Sequence, residues 1–229
     1  MSLIVAALAL SLPLAGCDSS VAPPAPSPMG AVAAEAARPP AGPERLVVAF
    51  GDSLYAGYGL KPNEAWPAKL QAALWARGIN AKLVNAGVSG DTTAAGRQRL
   101  AFLLDSQPRK PDLVIVGLGG NDMLRALPPA EARANLDAML RELDRRGIPA
   151  MLTGMLAAPN LGTDYAREFN AMYPALAKRY DAALVPFFMA SVIDQPKLFQ
   201  RDRVHPTAAG VDAIVADTID AVASAISPK

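Results

Sequence analysis

The chain has 229 residues, of which 52% are hydrophobic and 19% charged, and its formal net charge is +1. This balance is typical of a globular protein. It excludes an acidic disordered chain and offers no basic field for binding nucleic acid.

The first 17 residues form an apolar segment that is too short to span a bilayer and that ends in small residues before Cys17. This pattern indicates an export signal. Leu14-Ala15-Gly16-Cys17 resembles the lipobox of bacterial lipoproteins, in which the cysteine receives a diacylglyceryl group and becomes the mature N-terminus. The resemblance implies a periplasmic protein anchored in a membrane through Cys17. The alternative is an ordinary secretory signal with an incidental cysteine and a soluble product.

Residues 18–44 are rich in Ala, Pro and Ser, and we expect a stiff, extended tether with partial polyproline character. Residues 45–229 remain as one domain, long enough to bury most of its apolar surface. Because Cys17 is the only cysteine, this domain has no disulfide, no thiol nucleophile and no cysteine-based metal site.

Short apolar segments alternate with amphipathic ones through the domain. We predict strands at residues 45–50, 81–85, 112–117, 149–153 and 182–186, and helices at 65–77, 92–105, 129–146, 163–179 and 207–224. Gly78 and Gly147 follow cationic last turns, where C-terminal caps belong. The β-α order predicts a three-layer α/β/α sandwich around a five-stranded parallel sheet.

Polar residues follow several of these strands. Ser53 comes after the first strand, Gly90 after the second and Asn121 after the third, while Asp202 and His205 precede the last helix. In open parallel sheets, ligands bind outside the carboxyl ends of the strands. We therefore expect these residues to meet at that edge.

His205 is the only histidine of the chain, and Asp202 lies three residues before it. Pro206 disfavours helical geometry at His205, so a turn can bring Asp202 back to Nδ1 of the ring and leave Nε2 free to face a serine. A serine nucleophile needs such a base and such a carboxylate. The alternative is a surface aspartate beside a half-buried histidine in an ordinary turn.

Four segments together resemble the GDSL, or SGNH, hydrolase family. They are residues 51–54 (GDSL), 85–92 (NAGVSGDT), 119–122 (GGND) and 202–206 (DRVHP), in the order in which the family has them. Residues 155–162 and 169–174 resemble its thioesterase I/lysophospholipase L1 and arylesterase branch. The resemblance implies the flavodoxin-like SGNH fold and a serine esterase that forms an acyl-enzyme.

The resemblance also implies the role of each residue. Ser53 is the expected nucleophile, with His205 as base and Asp202 as the residue that orients it, while the Ser53 amide, the Gly90 amide and the Asn121 side chain are the expected oxyanion donors. Each has a structural alternative: Ser53 as a helix N-cap, Gly90 as a turn glycine before a helix capped by Asp91, and Asn121 in an Asx-type turn.

Other chemistries have less support. Asp52 and Asp122 could suggest a glycosidase pair, but local roles as loop-fixing acceptors are favoured. We expect no metal and no cofactor, because one histidine without a domain cysteine leaves only oxygen ligands, and because the chain has no dinucleotide fingerprint or phosphate loop. A Gly-x-Ser-x-Gly elbow is absent from the sequence, which disfavours the α/β-hydrolase fold.

Apolar residues near these motifs indicate an ester with an acyl chain or an aromatic leaving group. Tyr55, Tyr58 and Leu60 follow the nucleophile, and they could equally cap the core. The expected substrate contacts are Asp52, Leu54, Met123, Leu124, Met155 and Pro159. The resemblance implies aryl esters, short to medium acyl esters, acyl thioesters or lysophospholipids. Two other functions stay open: a carbohydrate deacetylase of the same fold, and a non-catalytic envelope binding lipoprotein. The oligomeric state is not predicted.

Overall fold

The computed structural model describes residues 38–226. The predicted signal, Cys17 and most of the tether lie outside these residues. Five strands form one sheet: β1 (Arg45–Gly51), β2 (Ala81–Gly87), β3 (Leu113–Gly117), β4 (Ala150–Thr153) and β5 (Ala183–Val185). Each predicted strand is confirmed, with ends that differ by one or two residues.

All strands are parallel, in the order β2-β1-β3-β4-β5. The chain therefore winds outward from β1 to β2 and then crosses back to β3 on the other side of β1. Gly51 pairs with Gly117, so β1 and β3 end side by side. This is the flavodoxin-like order, in which the crevice between β1 and β3 is the usual ligand site.

Seven α-helices connect or follow the strands: α1 (Ser53–Ala56), α2 (Trp66–Ala76), α3 (Thr93–Asp105), α4 (Gly120–Leu124), α5 (Pro129–Arg145), α6 (Thr163–Arg179) and α7 (Ala208–Ile226). The five long helices are those predicted. The short helices α1 and α4 were not predicted, because four or five residues are too few for a periodic pattern. No helix within residues 38–226 is long and apolar enough to cross a membrane.

Two apolar clusters cover the two faces of the sheet. On one face α2 and α7 pack against Val47 and Ile115, and on the other α3, α5 and α6 pack against Val48 and Val114. Alternate residues of the same strand thus enter opposite cores, which is why these strands are apolar throughout. The arrangement confirms the predicted three-layer sandwich.

Glycines end two of the long helices, as the sequence predicts. Gly78 follows α2 with φ +78° and Gly147 follows α5 with φ +61°. A side chain is disfavoured in this left-handed conformation, which turns the chain directly into the next strand.

Candidate active site

Ser53 is the first residue of α1, directly beyond the end of β1. Asp52 is the N-cap of this helix, and its Oδ1 accepts a hydrogen bond of 3.0 Å from the Leu54 amide. The N-cap alternative for Ser53 is therefore wrong, and the serine hydroxyl is left for other contacts. Gly51 permits the sharp turn into α1, because a Cβ there would lie 2.5 Å from Cγ of the buried Tyr55 ring.

Ser53, His205 and Asp202 form one connected chain of hydrogen bonds. Nε2 of His205 lies 2.8 Å from Oγ of Ser53, and Nδ1 lies 2.8 Å from Oδ2 of Asp202. The ring of Tyr58 packs at 4.4 Å from the imidazole, centroid to centroid. The structure thus brings together the three residues predicted as a triad, although they come from opposite ends of the domain.

The turn at residues 202–205 holds the carboxylate in place. Oδ1 of Asp202 accepts hydrogen bonds of 3.0 Å from the amides of Val204 and His205. Arg203, directly after Asp202, adopts a left-handed φ of +59° in this turn. These amide bonds, with the bond to the His205 ring, lower the pKa of Asp202 to about 2. Its carboxylate is therefore ionised throughout the neutral pH range, as an imidazolium partner requires.

Gly90 and Asn121 lie at the same edge of the sheet. Gly90 has φ +85°, and a Cβ there would meet only the Arg125 guanidinium at 3.8 Å, so its surroundings are open. Nδ2 of Asn121 donates to the Asp91 carbonyl at 3.0 Å and to Oδ2 of Asp52 at 3.3 Å. Asn121 belongs to α4 rather than to an Asx-type turn, and that alternative is wrong.

The aspartates near the site have local partners. Asp91 is not the cap of α3: Thr92 caps it, by accepting from the Ala95 amide, and the Asp91 carboxylate pairs with Arg99 at 2.6 Å. Asp122 accepts from the amide and hydroxyl of Thr93 at 2.8 and 2.6 Å. The predicted loop-fixing roles of Asp52 and Asp122 are confirmed.

Asp52 is a buried carboxyl beside the nucleophile, with 4% of its surface exposed. Burial raises its pKa to about 6, although the Leu54 amide and the nearby His205 oppose the shift. Its hydrogen-bond partners are the Leu54 amide and the Asn121 side chain.

A cavity of about 740 Å³ opens beside the Ser53 hydroxyl. Its walls are mostly apolar, and a 3.2 Å contact from the Ala158 amide to Sδ of Met123 joins two of them. The wall residues include all six predicted substrate contacts: Asp52, Leu54, Met123, Leu124, Met155 and Pro159.

The prediction was incomplete on the far side of this cavity. The segment that follows β5 contributes Phe187, Met189, Ile193 and Phe199. Its apolar composition was visible in the sequence, but neither a strand nor a family motif marked it. Tyr55, in contrast, lies in the core with its hydroxyl 2.8 Å from Thr153 Oγ1, as the core-cap alternative predicted.

Comparison with known proteins gives consistent matches. The model of the GDSL-like lipase/acylhydrolase family matches residues 49–213. An arylesterase of Vibrio mimicus is 39% identical over 163 residues, which make up 71% of this chain and 80% of that protein. Thioesterase 1/protease 1/lysophospholipase L1 of Escherichia coli is 38% identical over 157 residues, which make up 69% of this chain and 73% of that protein.

A solved structure resembles this one over the same region. AlinE4, an SGNH-hydrolase family esterase, superposes with a TM-score of 0.70 at 61% sequence identity. The match covers 82% of this chain and 100% of the AlinE4 chain.

Proposed function

The chain belongs to the GDSL-like lipase/acylhydrolase family and is a carboxylic-ester hydrolase, and we propose that Ser53, His205 and Asp202 are its catalytic triad. The observation that carries the proposal is the unbroken hydrogen-bonded path from the Ser53 hydroxyl through the imidazole to the Asp202 carboxylate. Each contact has the length that proton transfer and ring orientation need.

In the first half-reaction, Ser53 Oγ attacks the ester carbonyl and its proton passes to Nε2 of His205. The tetrahedral intermediate then loses the alcohol, which takes that proton from the imidazolium, and an acyl-enzyme remains on Ser53. Water repeats the sequence with His205 as base and releases the acid. Asp202, ionised and bound to Nδ1, stabilises the imidazolium in both halves.

The negative oxygen of the tetrahedral intermediate binds the amides of Ser53 and Gly90 and the side chain of Asn121. Of the two bonds that Asn121 donates, the one to Asp91 at 3.0 Å orients the amide, and the longer one to Asp52 at 3.3 Å is exchanged for the oxyanion. A neutral amide donor suits this position because a carboxylate would repel the developing charge.

The apolar cavity supports an acyl chain or an aromatic group as the part of the substrate that binds beside Ser53. The six predicted substrate contacts line this cavity, and we expect them to hold that group: Asp52, Leu54, Met123, Leu124, Met155 and Pro159. The cavity volume of about 740 Å³ exceeds the space that an acetyl group needs. The names of the relatives favour aryl esters, acyl thioesters or lysophospholipids. The apolar walls weigh against a carbohydrate deacetylase, and the enzymatic relatives against a binding lipoprotein.

We further propose that the protein is exported to the periplasm and anchored in a membrane by a lipid on Cys17. Support comes from the lipobox-like residues 14–17 and the Pro-rich segment that follows them. Expression of the full chain and of a Cys17→Ala variant in a bacterium tests this: the variant should leave the membrane fraction and lose the N-terminal diacylglyceryl mass. An unmodified Cys17 in the parent chain would contradict it.

The triad is tested with His205→Ala. Without its base, kcat for p-nitrophenyl esters should fall on the order of 10⁴-fold or more, while the circular dichroism spectrum stays that of the parent. When the parent protein is treated with an organophosphate, mass spectrometry should find the adduct on Ser53. Near-parental turnover of the variant, or an adduct elsewhere, would reject the assignment.

The same assay extended to acyl chains of increasing length and to lysophospholipid identifies the substrate class. A rise in kcat/KM with chain length supports acyl binding in the cavity. A sharp preference for acetyl esters of sugars would instead support the deacetylase.

A further inference from the structure

Arg99 of α3 makes three polar contacts with the ends of β1 and β2 and with the loop after β2. Its Nε donates to Oδ2 of Asp91 at 2.6 Å, its Nη1 to the Ala86 carbonyl at 2.9 Å and its Nη2 to the Gly51 carbonyl at 2.9 Å. Its guanidinium stacks on the Phe50 ring at 4.0 Å, and 24% of the Arg99 side chain is exposed. One side chain thus joins the ends of β1 and β2 to the loop after β2.

Two of the three groups that Arg99 holds lie next to proposed oxyanion donors in the sequence. Gly51 lies two residues before Ser53, and Asp91 follows Gly90. The carbonyl of Asp91 in turn accepts the 3.0 Å hydrogen bond that orients the Asn121 amide. The three donors come from the segments that follow three different strands, and Arg99 is a common point of attachment.

The charge of Arg99 also matters. The Asp91 carboxylate, 12% exposed, lies one residue from the Gly90 amide, and Arg99 is the cation that pairs with it. Without that cation, a half-buried negative charge would be left unpaired one residue from the Gly90 amide. A lysine could supply the charge but not three donors in a planar fork.

We propose that Arg99 is a positioning residue that holds the three oxyanion donors in register and neutralises Asp91 beside them. The proposal rests on the triad and the oxyanion hole described above. It does not require Arg99 to touch the substrate.

The first test compares Arg99→Met and Arg99→Lys in the full chain with Arg97→Met as the matched control. Arg97 lies on the same helix, and within residues 38–226 its side chain makes a single hydrogen bond, to half-buried Asn135 at 3.3 Å. With p-nitrophenyl butyrate we expect kcat of Arg99→Met to fall about 100-fold, as for loss of one oxyanion donor, with KM within about threefold. Arg99→Lys should lose about tenfold, and Arg97→Met should match the parent within twofold.

The second test separates positioning from a merely structural role. Octylboronic acid adds to Ser53 Oγ, whose proton passes to His205, and the resulting tetrahedral boronate places an oxygen in the hole. n-Octanol is expected to fill the cavity without forming a tetrahedral adduct on Ser53. In Arg99→Met the affinity for the boronic acid should fall in parallel with kcat, while inhibition by octanol stays unchanged. Equal losses for both ligands, or kcat within threefold of the parent, would overturn the proposal.

Asp91→Ala keeps the test decisive if Arg99→Met does not fold. It removes the acceptor through which Arg99 holds the segment that carries Gly90, and we expect kcat to fall about tenfold at unchanged KM; an unchanged kcat overturns the proposal. Failure of the triad itself looks different, because octylboronic acid would then bind the parent chain and Ser53→Ala equally well.

Discussion

Two cavities of similar volume lie at opposite ends of the sheet. The cavity at the carboxyl ends of the strands measures about 740 Å³ and contains Ser53, and the one at the amino ends measures about 680 Å³ and contains Asp112. In the first, a nucleophile, its base and a set of donors face a common space. In the second, Asp112 and Arg45 line the cavity, and the Asp112 carboxylate accepts from Arg45 at 3.4 Å and from Arg109 at 2.7 Å.

The volume of a cavity therefore does not make it a catalytic site. At the carboxyl ends, β1 and β3 finish side by side and their chains leave in opposite directions, which opens a crevice and directs the residues after each strand into it. At the amino ends, polar side chains satisfy each other and the backbone. If this comparison is right, substitutions at the two ends should have effects of different kinds.

The largest of these effects is expected for Asn121→Ala. Loss of the proposed side-chain donor should reduce kcat about 10²- to 10³-fold, with little change in KM, because the donor acts on the transition state. The matched substitution at the amino ends is Asp144→Ala, which should leave kcat within twofold. Comparable losses in the two variants, measured with p-nitrophenyl butyrate, would abolish the distinction between the cavities.

The sequence predicts much of the carboxyl-end site because its parts are local. Asp202 and His205 are three residues apart with a proline behind them, and Ser53, Gly90 and Asn121 each follow an apolar strand. Strand and helix order then suffices to bring them to one edge. The contact between His205 and Ser53, which are 152 positions apart, required the folded chain.

The sequence does not predict which of two adjacent polar residues takes a given role. Asp52 rather than Ser53 caps α1, and Thr92 rather than Asp91 caps α3. In both pairs the residue that is not the cap has a partner in another part of the fold, His205 or Arg99, that the capping pattern does not reveal. The far wall of the cavity was missed for the same reason, since an irregular segment has no period to detect.

The second-largest effect is the pH dependence of stability that comes from Asp52, the buried residue at the carboxyl ends of the strands. Burial raises the pKa of Asp52 from 3.8 to about 6, so the folded protein binds a proton that the unfolded chain has released. Stability contributed by this group is therefore full below pH 4 and is lost as the pH rises through 6, by about 3 kcal/mol.

Urea denaturation between pH 4 and 8 measures this loss when the parent is compared with Asp52→Asn. As the pH rises from 4, the free energy of unfolding of the parent should fall by about 3 kcal/mol relative to that of the variant. The difference should become constant above pH 7. Other titrating groups cancel in the comparison. A difference that does not depend on pH would mean that Asp52 is ionised as easily in the folded protein as in the unfolded one.

The third effect tests whether the exposed apolar residues at the mouth of the active-site cavity bind acyl chains. Leu124, at 59% exposure, lies in the cavity wall, whereas Phe102, at 79% exposure, lies on α3 outside it. Leu124→Asp should raise KM for p-nitrophenyl octanoate about tenfold, since about 1.4 kcal/mol of apolar contact is lost, and should spare the acetate ester. Phe102→Asp should change neither. Equal losses for octanoate and acetate would instead indicate damage to the catalytic groups.

The smallest effect is expected at the amino ends, where Asp112 connects the start of β1 to the loop before β3. Its Oδ2 accepts from the Leu46 amide at 2.7 Å, and this bond, with those from Arg109 and Arg45, lowers its pKa in spite of partial burial. Because the folded pKa is lowered, the stability that Asp112 contributes is present above its unfolded pKa and is lost as the pH falls through the folded one.

Asp112→Asn should therefore reduce the free energy of unfolding by about 1 kcal/mol at pH 7, and by less at pH 3, while kcat and KM stay within twofold of the parent. Urea denaturation at both pH values, with the butyrate assay alongside, measures the two quantities on the same samples. A change in kcat without a change in stability would show that the two ends of the sheet are coupled. The paired charges at the amino ends would then serve the reaction as well as the fold.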